Sequence, residues 1–200
     1  SPTQYYGKLT QGLITALTVL TAEGKLYDVD MRLRPSGSKG PLAVSLEAFD
    51  TYHEKEAWTW ERMAMTRARC VAGDEALGKA AQAIITTALN APRDAATTKA
   101  DIASMRALML REHKPTELWD LKRMPGGQIE IEFIAQYLEL IHAKTHSEIL
   151  NANTAASLNA ATKAGLLSTA HSETLLKALG LYQRLTQILR LCIDGTFDPK

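Results

Sequence analysis

Residues 26–35 read LYDVDMRLRP. Successive side chains of an extended strand point to opposite faces, so Asp28, Asp30, Arg32 and Arg34 would share one face. Tyr27, Val29, Met31 and Leu33 would form the other, an apolar face suited to a core. The alternation predicts a strand, closed by Pro35, which cannot donate to a ladder. Four charges in a row on one face allow two readings. One is a solvent-facing strand with cross-paired charges. The other is an active-site wall, with carboxylates for a divalent cation and guanidinium forks for phosphate.

Working outward, the 200-residue chain is long enough for one or two small domains, and its composition, 46% hydrophobic and 22% charged, is that of an ordinary globular protein. With 23 basic against 22 acidic residues, there is no charge excess to attract nucleic acid or a membrane surface, and neither is expected as a partner. No apolar run approaches the roughly 20 residues of a membrane span, and the first residues lack the charged region and cleavage site of a signal peptide. Cys70 and Cys192 lie far apart in apolar or helical contexts, which predicts free, buried thiols in a reducing cytoplasm. The Ser-Pro start and the stop at GTFDPK are expected of an excised piece of a longer protein.

Before the charged strand, residues 4–20 predict a helix, with Leu9, Leu13, Leu17 and Leu20 three and four apart. Residues 36–40 predict a loop, and 41–44 a short second strand. Ser45 is placed to cap a helix that carries Glu47 in its first turn. Helices are expected over 45–57, 58–69, 74–89, 98–112, 128–144, 154–164 and 169–193. Thr98 with Asp101 fits a capping box. Asn90-Ala91-Pro92-Arg93 is the natural boundary, dividing the chain into residues 1–92 and an all-helical 93–200. In the last helix Leu175, Leu179, Tyr182, Leu185, Leu189 and Cys192 form a core-facing stripe, with Lys177, Arg184 and Gln187 opposite.

Two further stretches are unusual. In EAWTWERMAMTRAR (56–69) the tryptophans Trp58 and Trp60 read as packing residues. Arg62, Thr66 and Arg69 share a helix face that is either solvated or in contact with a phosphate or a partner. In DLKRMPGGQIEIEFIAQYLEL (120–140) a Pro-Gly-Gly break precedes a helix with an Ile129, Phe133, Tyr137, Leu140 stripe and with Glu132, Gln136 and Glu139 on another side. That break is a tight turn into a buried helix or an anion site at a helix N-terminus, and it matches no phosphate-loop pattern. His142 and His146 are four apart but lack a third ligand or an HExxH pattern, so no metal site is expected there.

Taken together and in order, YDVDMRLRPSG (27–37), GPL (40–42), EAWTWERMAMTRARCVAGD (56–74) and PGGQIEIEFIAQYLEL (125–140) resemble the glutamine synthetase adenylyltransferases. The resemblance runs over nearly the whole chain. The wording AWTWE followed by RAR and AGD is similar to the C-terminal, adenylylating half of these two-headed enzymes. The resemblance implies an α+β, predominantly helical fold, a truncated polymerase-β-like nucleotidyltransferase sheet followed by a helical bundle. It further implies an ATP- and Mg²⁺-dependent cytoplasmic enzyme that transfers AMP to a tyrosine of glutamine synthetase. Glutamine synthetase and a nitrogen-regulatory signal protein would be its partners.

In that family fold a Gly-Ser followed by an Asp-x-Asp strand supplies two metal carboxylates, and a later apolar-Asp-apolar strand supplies the third. Val29-Asp30-Met31 matches the later strand. Asp30 is therefore the catalytic and metal-binding candidate, with Asp28 as the second metal candidate, and Arg32, Arg34 and Lys39 would face the nucleotide. The chain departs from the pattern upstream of Tyr27, where no Gly-Ser with Asp-x-Asp is found. Residues 1–200 are accordingly expected to be inactive by themselves. The alternatives are the deadenylylating half, a related uridylyltransferase, or a non-catalytic helical docking or regulatory module; the role of Glu130 and Glu132 stays open.

Overall fold

A computed structural model describes residues 2–113 and 119–192. Eight α-helices are present among them: α1 Pro2–Thr18, α2 Leu46–Lys55, α3 Thr59–Met65, α4 Glu75–Asn90, α5 Ala95–Glu112, α6 Gln128–His142, α7 Thr154–Lys163 and α8 Thr169–Cys192. Single 3₁₀ turns occupy Gly37–Lys39 and Ser147–Ile149. Residue 193 of the expected last helix lies outside the described residues.

Short polar side chains start the helices where orphan N–H groups need acceptors. Ser45 accepts from the Ala48 N–H at 3.1 Å, Asp74 from Leu77 at 2.8 Å, Asp94 from Thr97 at 2.7 Å and Asn153 from Ala156 at 3.0 Å. The expected Thr98–Asp101 box is corrected by this pattern. Asp94 caps α5 one turn earlier, the Thr98 hydroxyl donates to the Asp94 carbonyl at 2.8 Å, and Asp101 accepts from the Thr59 hydroxyl at 2.5 Å.

The core has two parts, and α6 runs through both. Met63, Met65, Ile85, Leu89 and Leu140 make one, which joins α3, α4 and α6. Ile131, Ala135, Leu138, Ile149, Leu158, Ala161 and Leu179 make the other, which joins α6, α7 and α8. Helix α6 is therefore buried on nearly every side, including the side expected to be polar: Gln136 and Glu139 are buried as well. The Pro-Gly-Gly break is a tight turn into this helix. Gly126 adopts φ 75°, and a Cβ at Gly127 would lie 2.7 Å from the carbonyl oxygens of Leu121 and Met124. Tyr182 of α8 donates to the Gly126 carbonyl at 3.1 Å and pins the turn to the bundle.

The expected sheet is not seen. Residues 27–32 adopt no regular secondary structure, and no strand ladder forms among the described residues; the single bridge is Thr21 with Gly24, closing a turn. Neither does 41–44 pair. Alternation prepares a strand, but its N–H and C=O groups need a neighbouring strand to become a sheet, and none lies beside them here. Tyr27 and Leu33, assigned to a core face, are exposed. Helix α1 forms as expected but buries no residue. Two smaller expectations also fail. Cys70 and Cys192 are free but exposed, and Trp58 and Trp60 are exposed rather than packed, at 69% and 41%. Helix α3 turns its Met63 and Met65 inward, and the indoles at its start are left on the outside.

Candidate functional site

The charged residues of 28–39 keep together, but in local pairs. Asp28 is ion-paired with Lys25, and both are on the surface. Asp30 is held by Arg32 three ways: backbone N–H to Oδ1 at 2.9 Å, Nε to Oδ1 and Oδ2 at 3.0 Å, and an Nη2 contact with Oδ2 at 2.6 Å. This fork of donors holds the Asp30 carboxyl down at about 2, with its side chain at the surface. Arg34 folds back on the chain, donating to the Met31, Ser38 and Gly40 carbonyls. It thereby shapes the turn around the 3₁₀ segment, where Gly40 packs so closely that a Cβ would meet the Pro35 oxygen at 2.1 Å. Lys39 is exposed on that turn. Asp28, Asp30, Arg32 and Arg34 thus occupy one segment, but no cluster of three His, Cys, Asp or Glu forms among the described residues. Two carboxylates already neutralised by neighbours do not make a magnesium site by themselves.

Beneath Arg34 lies a cavity of about 340 Å³, between the 33–34 segment, α2 and α3, lined by Arg34, Phe49, His53, Glu61 and Arg67. Sequence reading did not single out its polar floor. Glu61 is 5% exposed and accepts from the Tyr52 hydroxyl at 2.7 Å and the Trp58 N–H at 2.8 Å. The one available signal was its position three residues after Trp58, where a carboxylate reaches back to the helix start. Burial first, and Glu61 second, push the Tyr52 phenol up; burial pushes the His53 imidazole down. His53 packs edge-on against Phe49 with ring centres 4.5 Å apart. The floor thus holds one buried carboxyl group fixed by two donors.

Behind it the third stretch becomes a set of braces. Glu130 pairs with Arg106 at 2.8 Å and takes the Gly126 N–H at 3.1 Å, so the turn's anion-binding donor is filled by the chain's own carboxylate. Glu132 pairs with Arg67 at 3.2 Å, and Arg67 also donates to Thr154 at 2.9 Å, linking the end of α3 to α6 and the start of α7. Glu139 is 2% exposed and accepts from the Asn151 N–H at 3.2 Å; burial pushes its carboxyl up, while Thr66, Ser157 and Arg67 work the other way. Arg93 caps the end of α4 by donating to the Ala88, Leu89 and Ala91 carbonyls, and it reaches Leu140 of α6 at 3.4 Å. Burial, with Arg62 nearby, lowers its guanidinium to about 10.

Residues 1–84 match the family model described as glutamate-ammonia ligase adenylyltransferase, and residues 98–196 match that described as GlnD PII-uridylyltransferase. Proteins named bifunctional glutamine synthetase adenylyltransferase/adenylyl-removing enzyme are similar throughout. That of Rhodopseudomonas palustris (strain TIE-1) is 49% identical over 98% of the chain, and that of Rhizobium meliloti (strain 1021) is 48% identical over 100%. The homologue in Xanthobacter autotrophicus is 47% identical over 98%. The chain spans 20% of the length of each of these relatives. With the same order of motifs carried at nearly half identity from end to end, the chain belongs to the family of the bifunctional glutamine synthetase adenylyltransferase/adenylyl-removing enzymes.

Proposed function

We propose that the intact protein transfers AMP from ATP to a tyrosine of glutamine synthetase, and that residues 1–200 belong to its adenylylating half. The observation that carries this is the 49% identity to a protein of that name over 98% of the chain. In the transfer, the tyrosine oxygen forms a bond to the α-phosphorus while the bond from that phosphorus to the bridging oxygen breaks, and pyrophosphate leaves. Mg²⁺ would supply charge neutralisation for the triphosphate. Asp30 is the carboxylate of this chain offered to the metal, Asp28 its neighbour, and Arg32, Arg34 and Lys39 the groups offered to phosphate. The Asp30–Arg32 fork gives this proposal a specific form. When a cation takes Asp30, Arg32 loses its carboxylate and becomes free for a phosphate, so one exchange of partners arms both residues.

Residues 27–34 would then act as a strand, paired in the intact protein with neighbours outside this chain. The exposed apolar side chains of α1, Tyr27 and Leu33 support that reading. The division at residues 1–92 and 93–200 is kept as one of sequence ancestry, supported by family matches that end at 84 and begin at 98. A cytoplasmic location and a nitrogen-regulatory signal protein as second partner complete the proposal; no described helix is long and apolar enough to cross a membrane.

One observation favours a second reading for the C-terminal part. Its match is to a uridylyltransferase model, so residues 98–196 would be a helical module shared between the two kinds of enzyme, with a docking or regulatory role. The test is to supply the intact protein with labelled ATP, UTP or phosphate, together with glutamine synthetase in its free or adenylylated form. AMP transfer from ATP is expected. Transfer of UMP, or only phosphate-dependent removal of AMP, would overturn the assignment to the adenylylating half. Residues 1–200 alone should transfer nothing.

A further inference from the structure

The last helix is apolar on two sides. On one, Leu175, Leu179 and Tyr182 pack into the core, with Leu179 2% exposed. On the other, Leu181, Leu185, Ile188 and Cys192 follow one another at steps of four, three and four, the spacing of a helix-pairing seam; Leu185, half-buried, and Cys192, exposed, fall on this side and not in the core-facing stripe expected for them. At 100° per residue these four fall in one stripe, roughly opposite Leu179 and about 16 Å long. Leu181 is 48% exposed and Ile188 55%, with Leu191 beside them at 86%. A helix that faces solvent on one side carries polar residues there, and one apolar on both sides is covered on both.

One edge of the stripe is basic. Lys177 and Arg184 flank it, and residues 177–192 hold three basic side chains, Arg190 the third, and no Asp or Glu. Lys177 has an exposed ion pair with Glu173 at 3.6 Å, one turn back. Arg184 donates Nε to the Gly180 carbonyl of its own helix at 3.2 Å and makes no ion pair among the described residues.

We infer that the Leu181–Leu185–Ile188–Cys192 stripe is a docking seam for an amphipathic helix of a partner protein, one whose apolar stripe is edged by carboxylates. A second copy does not meet this requirement. Antiparallel pairing would set Lys177 and Arg184 against their own like charges, and parallel pairing would offer them Tyr182 and Leu189. Carboxylates along the partner's edge supply the missing charge and fix its register.

The experiment titrates the full chain into a synthetic helical peptide of ~20 residues with leucine at the seam positions and glutamate on both edges, followed by fluorescence anisotropy. Saturable binding is expected. Leu181→Glu with Ile188→Glu should weaken it by about 30-fold or more, since both leave a charge in an apolar contact. Arg184→Glu should weaken it several-fold and restore binding to a lysine-edged peptide. Because these side chains are exposed, circular dichroism and melting should stay as in the parent. No binding, binding unchanged by the double substitution, or equal binding of glutamate- and lysine-edged peptides would overturn the inference. Self-association in sedimentation that Ile188→Glu abolishes would make the seam a contact between copies. Binding to phosphatidylserine vesicles in place of the peptide would make it a membrane face. Either result also overturns the inference.

Discussion

Helix α1 and helix α7 both carry apolar residues at helical spacing, yet they end in opposite environments. Leu158 of α7 is 0% exposed, whereas Leu13 of α1 is 60% exposed. The same contrast runs through the whole molecule. Residues 2–45 contain no fully buried residue, while 46–192 contain the two core clusters and their braces. Local sequence forms a helix in either case. What differs is whether a second apolar surface lies within reach, because burial and not helix propensity supplies most of a helix's stability in a folded protein. Under the proposed function the two regions divide the work: one holds the groups offered to chemistry, and the other holds the fold.

The sharpest way to break that division is Asp30→Asn in the intact protein. AMP transfer should fall by orders of magnitude while melting is unchanged, because the side chain is at the surface and the amide keeps its shape. Near-normal turnover with Mg²⁺ would remove Asp30 from the site and leave Asp28 as the candidate.

A pair of leucine truncations sharpens the same contrast in stability. Leu158→Ala should cost about 3 kcal/mol in urea unfolding of the 200-residue chain, because it empties a fully buried position. Leu13→Ala should stay within about 0.5 kcal/mol, as other exposed positions do. Equal losses would show that α1 is packed in solution.

The braces come next. Glu139→Ala should cost about 2 kcal/mol, leaving the Asn151 N–H without its acceptor. Glu139→Gln keeps an acceptor and removes the titration. Because burial raises the carboxyl above its usual 4.5, the folded state holds that proton more tightly than the unfolded one. Its contribution is therefore fully present below the unfolded value and is lost as pH rises through the folded value. Unfolding of the parent and of Glu139→Gln, compared from pH 4 upward, should show the parent losing ground. Parallel pH profiles would mean that the carboxylate is ionised in place.

Smaller than the Glu139 effect should be that of Glu132→Gln, at about 1 kcal/mol or less, since its Arg67 partner is partly exposed. Its effect should appear as weakened coupling between α3 and α6. A loss of Mg²⁺-dependent transfer with melting unchanged would put this helix in the catalytic site instead.

Much of this was legible in residue order. The helices were readable because apolar spacing and caps are local properties: Ser45 stands where an orphan N–H group needs an acceptor, although the cap of α5, expected at Thr98, lies at Asp94. The family was readable because four separated motifs keep their order. Trp58, Trp60, Glu61 and Glu139 were not readable in the same way. A tryptophan before a short helix faces in or out according to which side of that helix meets the core. A glutamate in an apolar helix is a brace or a solvated charge according to what lies across from it.

By itself, then, the amino-acid sequence determined where most of the helices start, which turn needs glycine, and that Asp28, Asp30, Arg32 and Arg34 lie within one short segment. Tertiary structure alone decided that this segment lies unpaired, that α6 is enclosed on nearly all sides, and that Glu61 and Glu139 are buried under partners from other helices. The reason is range. Caps, turns and alternation act over a few residues, whereas pairing and burial depend on surfaces brought together from distant parts of the chain.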